Sequence, residues 1–291
     1  MAKKNIDYIS DLHLDYYFDR NFSLYSKENL IITFIKKIIP TNKSDILILS
    51  GDISHSIKQI YEFISILRKH FYKYVIYTPG NHEHFILLEE IKLYNTSEEK
   101  INKLENLLLS IENVYFLYGN IITIENITFG GSVAWYNSDY IYKYFNNYYT
   151  MTDKYVNKLW KNFMGEYTFM KTIKNDKICN FESYKEIFNI EIKKLYDIHK
   201  NCDVIITHIN PSIKKEHQSQ QYCETEETTF FCFNGEELLK NTSAKYWFFG
   251  HTHDVIEYKY YNVNCFCNPF GYPSESRSKT IKTITLEING N

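Results

Sequence analysis

A chain of 291 residues is long enough to bury a substantial apolar core as one domain or as two. Its 33 basic and 35 acidic side chains leave a formal net charge of -2, which excludes a global attraction to nucleic acid or an anionic membrane but not a local basic groove. No apolar stretch reaches about 18 residues and no signal-type segment follows Met1-Ala2-Lys3-Lys4, so the chain reads as soluble and cytoplasmic, with no membrane partner.

In chain order, the apolar runs of strand length are Ile6 to Ser10, Ile46 to Ser50, Tyr74 to Thr78, Val114 to Tyr118, Ile127 to Gly131, Val204 to Thr207 and Tyr246 to Phe249. Helix-period segments lie between several of them: Ser26 to Ile39 ended by Pro40, Ser56 to His70, Glu98 to Ile111 and Ser183 to Lys200. Alternation of the two argues an α/β sheet covered by helices. Val255 to Tyr261, Val263 to Cys267 and Thr280 to Glu287 then read as successive strands, which predicts a second sheet packed on the first. From about 135 to 182 the chain is polar, rich in tyrosine and without a clear period, and is expected to be an insertion forming a cap or lid on a single 1–291 domain. Its Tyr136, Tyr140, Tyr142, Tyr144, Tyr148 and Tyr149 could line the mouth of a site or pack the insertion.

The six cysteines, Cys179, Cys202, Cys223, Cys232, Cys265 and Cys267, show neither a C-x-x-C pair nor the spacing of a small disulfide domain, and read as reduced thiols. Cys265 and Cys267 would share one strand face, an arrangement for packing.

Potential metal ligands follow the strand-like runs. Asp11 and His13 come after the first, Asp52 after Ile46 to Ser50 and a glycine, and Asn81 after Tyr74 to Thr78 and Pro79-Gly80. His208 comes after Val204 to Thr207, and His251 with His253 after Tyr246 to Phe249 and Gly250. The carboxyl ends of strands in an open α/β sheet converge on one crevice, so these groups can meet. Carboxylate, amide oxygen and neutral imidazole without thiolate suit two divalent ions such as Mn, Fe, Zn or Ni. One carboxylate can bridge two ions about 3.5 to 4 Å apart, and Asp52 is the natural bridge. Tight turns at Gly51, Gly80 and Gly250 would bring backbone close to such a crowded centre. Taken singly, His251-Thr252-His253 could be an exposed strand end and Asp11-Leu12-His13 an ordinary loop; all five blocks together argue against coincidence.

The blocks Asp11-Leu12-His13, Gly51-Asp52, Gly80-Asn81-His82-Glu83, Thr207-His208 and Gly250-His251-Thr252-His253 resemble those of the calcineurin-like metallophosphoesterase superfamily, in order and spacing across about 240 residues. The resemblance implies a four-layer sandwich of two mixed β-sheets flanked by helices. It also implies that Asp11, His13, Asp52 and His253 hold one metal while Asp52, Asn81, His208 and His251 hold the other. Gly130-Gly131-Ser132-Val133-Ala134-Trp135, Pro211-Ser212 and Cys267-Asn268-Pro269-Phe270-Gly271-Tyr272-Pro273 are similar to a largely uncharacterised bacterial and phage branch of the superfamily.

The implied chemistry is phosphoester hydrolysis by a hydroxide bridging the two metals, with His82 protonating the leaving group and Asp11 orienting the His82 ring. Of the remaining histidines, His70, His199 and His217 read as surface or packing residues, whereas His55 and His84 lie close enough to the blocks to support them or touch substrate. Asp254 and Asn268 read as loop-shaping groups, and Asp15 and Glu83 as unassigned polar loop residues. Branch members that act as protein phosphatases carry Arg after the Gly-Asp and Asn-His-Glu blocks, where this chain has Ile53-Ser54-His55-Ser56 and His84-Phe85. Without that basic clamp a nucleotide or similar small phosphodiester is the expected substrate. A single-strand nuclease or a phosphomonoesterase with the same centre is the alternative, and a non-catalytic interaction scaffold is disfavoured because every block is intact.

Overall fold

The computed structural model describes residues 2–20, 23, 25–145, 152–171, 180–275 and 279–288. Its strands are β1 (Ala2–Ile9), β2 (Ile46–Ser50), β3 (Tyr74–Thr78), β4 (Val114–Phe116), β5 (Ile121–Ile124), β6 (Ile127–Gly131), β7 (Val204–Ile206), β8 (Tyr246–Phe249), β9 (Ile256–Tyr260), β10 (Val263–Cys267) and β11 (Lys282–Ile288). The helices are α1 (Glu28–Ile38), α2 (Ile57–His70), α3 (Ser97–Leu108), α4 (Asp139–Phe145), α5 (Asp153–Phe163), α6 (Glu166–Phe169), α7 (Phe181–Ile198) and α8 (Glu236–Asn241).

Period-two alternation decides how these elements stack. In β1 and β2, Ile6, Tyr8, Ile46 and Ile48 face one way, while Ile9, Leu47 and Leu49 face the other. The first set meets Ile127 and Phe129 of β6, Val204 and Ile206 of β7 and Phe248 of β8, forming the layer between two sheets. The second set packs against Ile31 and Ile35 of α1, Ile60, Phe63 and Ile64 of α2, and Ile101 and Leu104 of α3. On the far face of the other sheet, Ile205, Trp247 and Phe249 pack with Trp160 of α5, Leu195 of α7 and Leu238 of α8. The result is helices, sheet, sheet, helices, the four-layer sandwich with two mixed sheets expected from sequence.

The first sheet runs β11-β1-β2-β3-β4, parallel from β1 to β4 and antiparallel at β11, whose register runs from Ala2↔Ile288 to Tyr8↔Lys282. The second runs β5-β6-β7-β8-β10-β9, parallel in its middle and antiparallel at both edges. Ser56, Thr96, Thr152 and Asn180 cap α2, α3, α5 and α7 by accepting a backbone N–H in the first turn.

Two expectations change. The strand-like segments of the C-terminal third divide: β9 and β10 join the second sheet, but β11 returns to pair with β1. That return satisfies the edge of β1 with seven paired residues, which no local pattern reveals. Strand β5 was hidden because its turn to β6 is Glu125-Asn126, both in the left-handed region at φ 50 and 65°, rather than a glycine turn. The 135–182 segment contains α4, α5 and α6, and its Trp135, Tyr136, Tyr140 and Trp160 are buried. Among the described residues no helix is long and apolar enough to cross a membrane.

The carboxyl ends of β1, β2 and β3 in one sheet and of β7 and β8 in the other open onto the same end of the sandwich. Backbone hydrogen bonds stitch the loops there: Asp11 N–H to Gly51 O and His13 N–H to Asp52 O, both 3.0 Å, and Gly250 N–H to His208 O, 2.9 Å.

Candidate metal centre

Backbone conformation marks this end before any side chain is considered. Asp11, His13, Asp52, His251 and His253 all sit at positive φ, between 43 and 69°. For residues with a Cβ this region costs roughly 1–2 kcal/mol each and persists only where the surroundings impose it. Here it turns successive side chains of short loops toward a single point. Neighbouring glycines leave the room: a Cβ on Gly51 (φ 87°) would strike His208 Nδ1, and one on Gly80 would strike Asp52 Oδ1.

Besides the triad His13, Asp52 and His82, whose ligand atoms also lie within 4.8 Å of one another, the donor atoms form two groups around one carboxylate. Asp11, His13 and His253 make the first, and Asp52, His208 and His251 the second, with the ligand atoms of each group within 4.8 Å of one another. Asp52 lies between them. Its Oδ1 accepts the backbone N–H of His82 at 3.0 Å, and its Oδ2 lies 3.2 Å from His208 Nε2, 3.8 Å from His82 Nε2 and 3.9 Å from His13 Nε2. Asn81 joins the second group, its Oδ1 being 3.1 Å from His208 Nε2. Thus all seven residues expected as ligands stand at one site.

The far sides of the rings fix which nitrogen points inward. His208 Nδ1 donates to Ser50 O at 2.8 Å, His251 Nε2 to Phe230 O at 3.0 Å and His253 Nδ1 to Glu275 Oε1 at 2.9 Å. In the neutral form of each ring the inward nitrogen therefore carries the lone pair. His208 Nε2 faces two oxygen acceptors, and His253 Nε2 faces His13 Nε2 at 3.0 Å with Asp11 Oδ1 at 3.6 Å. Where these nitrogens are unprotonated they face other acceptors in a buried place, and a metal cation between them would satisfy both.

Protonation shows the same demand. Burial works against a charged His208, yet Asp52, Asp11 and the Ser50 carbonyl push it up to about 10. Burial would raise the Asp52 carboxyl, but His208, His82 and His13 hold it well below the usual range. Burial and His208 push His251 down to about 3. The residues present thus fit a pair of divalent ions: hard oxygen and imidazole donors, buried, pre-aimed and converging on a shared carboxylate.

His82 sits beside the groups on a 3-10 turn, His82–His84. Its expected orienting partner was Asp11, and the structure corrects this. Asp11 is occupied with Ser10 Oγ and the His251 N–H, whereas His82 Nδ1 lies 2.9 Å from His55 Nε2. His55 Nδ1 in turn lies 2.5 Å from Asp15 Oδ2. With a neutral His55 donating Nδ1–H to the Asp15 carboxylate, His55 Nε2 is an acceptor and His82 Nδ1 carries the hydrogen between the rings. Burial would raise Asp15, but this bond to His55 holds it below the usual carboxylate range. Phe85 stacks on the His82 ring at 4.7 Å and 29°. Burial pushes His82 down to about 4, with Asp52 opposing and His55, His208 and His253 adding to the depression.

Several supporting residues had no assignment in the sequence. Glu83 accepts N–H groups from Asp52, Ile53 and Gly80 at 3.0, 2.7 and 2.6 Å, tying the β2 and β3 loops together. Its place in the Gly-Asn-His-Glu block was the available signal. Tyr272 stacks on His13 at 4.4 Å and 24°, and Tyr16 meets Tyr272 at 4.8 Å. Glu166, from the 135–182 segment, accepts from Asn81 Nδ2 at 2.9 Å. Nothing local in sequence marks Glu166 or Glu275. His84 donates from Nδ1 to Gly80 O at 2.9 Å and so supports the β3 loop. His70 pairs with Glu28, His199 bonds Tyr196 O and His217 stacks on Tyr258, all away from the centre. Asp254 accepts from Ser219 Oγ, and Asn268 donates to Tyr8 O and Thr280 O, as loop-shaping groups do. Of the tyrosines expected near the mouth, Tyr136 stacks 6.3 Å from His251, Tyr140 is buried against Tyr144, and Tyr142 donates to Asp153; Tyr148 and Tyr149 lie outside the described residues.

A family model for calcineurin-like phosphoesterases matches residues 4–255, spanning all five blocks. The chain belongs to that family. It is a metal-dependent phosphoester hydrolase. Among curated proteins, it is 27% identical over 283 residues to an uncharacterized protein of Acanthamoeba polyphaga mimivirus, covering 92% of this chain and 91% of that one. The phosphopantetheinyl hydrolase from Mycobacterium tuberculosis shares the fold, with a TM-score of 0.69 at 16% identity over 97% of this chain and 96% of the other. A dimetal phosphatase from Danio rerio aligns with a TM-score of 0.42 at 11% identity over 96% and 91% of the two chains.

Proposed function

We propose that this metallophosphoesterase is a phosphodiesterase for a nucleotide or similar small diester, with Asp11, His13, Asp52, Asn81, His208, His251 and His253 as ligands and His82 as general acid. The observation that carries it is the geometry around Asp52, whose Oδ2 faces three imidazole nitrogens from three different loops within 3.9 Å. Two divalent ions in such a centre acidify water and polarise a phosphoryl oxygen. Asp11, His13 and His253 form one group for an ion and Asn81, His208 and His251 the other, with Asp52 shared. Manganese suits the mixed oxygen and imidazole donors and is the first ion to supply.

His82 protonates the leaving oxygen from Nε2, the ring nitrogen that faces the centre. Its Nδ1–H stays bonded to His55, so the ring cannot turn away as the proton leaves. The negative phosphoryl oxygens of an incoming ester raise the His82 proton affinity in the same sense as Asp52.

Diester preference rests on the cations around the centre. Among the described residues, Arg20 pairs with Glu89, Arg68 binds the Glu112 carbonyl, Lys100 is buried against Glu90, and Lys279 donates to the Tyr17 hydroxyl and the Tyr272 carbonyl. Arg277 lies outside the described residues. A monoester dianion gains most from an arginine clamp, a diester monoanion least. The Mycobacterium tuberculosis neighbour is named for a phosphopantetheinyl group, so such an ester belongs among the candidate substrates. The 135–182 segment is proposed as an insertion within one domain.

The test is a manganese-reconstituted assay of a nitrophenyl phosphomonoester against the matching bis-ester, followed by cyclic nucleotides, dinucleotides, a phosphopantetheinyl ester and short single-stranded DNA and RNA. Higher kcat/KM on the bis-ester supports the reading, and a preference for the monoester overturns it.

A further inference from the structure

Asn81 is the weakest donor among the seven, a neutral amide that can offer either oxygen or NH2 to the centre. What decides its orientation comes from far away in sequence. Glu166 opens α6, is fully buried, and places Oε1 2.9 Å from Asn81 Nδ2. With the NH2 given to this carboxylate, Oδ1 is turned to His208 Nε2 at 3.1 Å. With Glu166 ionised, the opposite rotamer would set amide oxygen against carboxylate oxygen, leaving two buried acceptors facing each other.

The same stretch grips the rest of that loop. Ile86 N–H donates to Phe169 O at 2.7 Å, and a Cβ on Gly165 would come within 2.9 Å of the Phe85 ring. Phe85 carries the ring that stacks on His82. Residues 165–169 therefore clasp the loop from Asn81 to Ile86 at both ends.

We propose that Glu166 is a positioning residue of the metal centre: it selects the Asn81 rotamer whose oxygen faces the second ligand group, which makes this part of the 135–182 segment a component of the site as well as a cover. The proposal rests on the reading of Asn81 as a ligand. Loss of a group that orients a ligand typically weakens metal affinity about 10- to 100-fold.

The experiment is calorimetric titration of metal-stripped protein with Mn2+, with thermal unfolding by circular dichroism as the folding control. Wild type is compared with Glu166→Gln, which keeps an acceptor oxygen, and with Glu166→Ala. Glu166→Met, which fills the space without an acceptor, takes the place of the alanine variant should that not fold. The expected result is one ion bound as in wild type and the other about 10- to 100-fold more weakly in the variants lacking an acceptor, with Glu166→Gln within about threefold of wild type. Two unaltered sites in folded Glu166→Ala or Glu166→Met overturn the assignment alone. Equal weakening in Glu166→Gln also overturns it, since the acceptor would then not be the cause. Failure of wild type to bind Mn2+ overturns the reading of the centre itself, and this proposal with it.

Discussion

The Nδ1 of His82 lies 2.9 Å from the Nε2 of His55, and the other nitrogen of His55 lies 2.5 Å from Asp15. With His55 neutral the line sets the tautomer of both rings, and in either case it leaves one His82 nitrogen for chemistry. Replacing His82 by alanine should lower kcat for an alkyl leaving group about a hundredfold to ten-thousandfold, and for nitrophenolate, which needs no proton, less than about tenfold. His55→Ala and Asp15→Asn should show the same dependence on leaving group with smaller losses and little change in KM. Losses independent of the leaving group would count against proton delivery through His82.

Lys100 is buried, and its Nζ donates to His55 O at 2.7 Å, Phe85 O at 2.5 Å and Glu90 Oε2 at 2.7 Å. It thereby joins the backbones of the two residues that hold the His82 ring. Lys100→Met keeps the bulk but strands a largely buried carboxylate and two carbonyls, at a cost of about 3–5 kcal/mol. A urea midpoint within error of wild type would contradict this. Lys100→Met with Glu90→Leu should recover part of the loss, because no charge is then left unpaired.

His84 should make the protein acid-sensitive in a defined window. Burial pushes it down to about 4 from an ordinary 6.5, while its Nδ1–H is held by Gly80 O. The folded state thus refuses a proton that the unfolded chain accepts, so stability is complete above about 6.5 and falls as pH drops toward 4. Between pH 7.5 and 5 this residue alone accounts for about 2 kcal/mol. In metal-stripped protein, His84→Gln should show a smaller drop in urea midpoint over that interval than wild type. An equal drop would remove His84 as a source.

The loop glycines give a steric test. Gly80→Ala places a methyl against Asp52 Oδ1 and only 2.8 Å from the Asp52 nitrogen and from His208 Nε2. No flexible side-chain end is available to give way. The variant should fold less stably by about 1–3 kcal/mol and bind Mn2+ at least about tenfold more weakly. Unchanged metal affinity would show that the β2 and β3 loops are less tightly coupled than their contacts indicate.

What sequence could and could not disclose follows from how local each signal is. Asp52 was legible because a buried apolar run, Ile46 to Ser50, ends at a glycine, and the same logic located His208, His251 and His253. Strand β11 and the partner of β1 were not, since sheet order is settled by edges that meet only in three dimensions. His55 stood close enough to a block to be weighed, but Asp15 gained meaning only through the His55 ring. Glu166 is 85 positions from the amide it orients and lies in a stretch without period, so nothing along the chain connects them.

Both proposed ions depend on the shared Asp52 carboxylate. Metal content by mass spectrometry, taken with bis-nitrophenyl phosphate turnover, should give two Mn2+ per wild-type chain and metal-dependent hydrolysis. Asp52→Ala, by removing a donor common to both groups, should lose both ions and at least about a thousandfold in turnover. Fewer than two ions in wild type, or two ions and near-normal turnover in Asp52→Ala, would contradict a dinuclear centre built on Asp52.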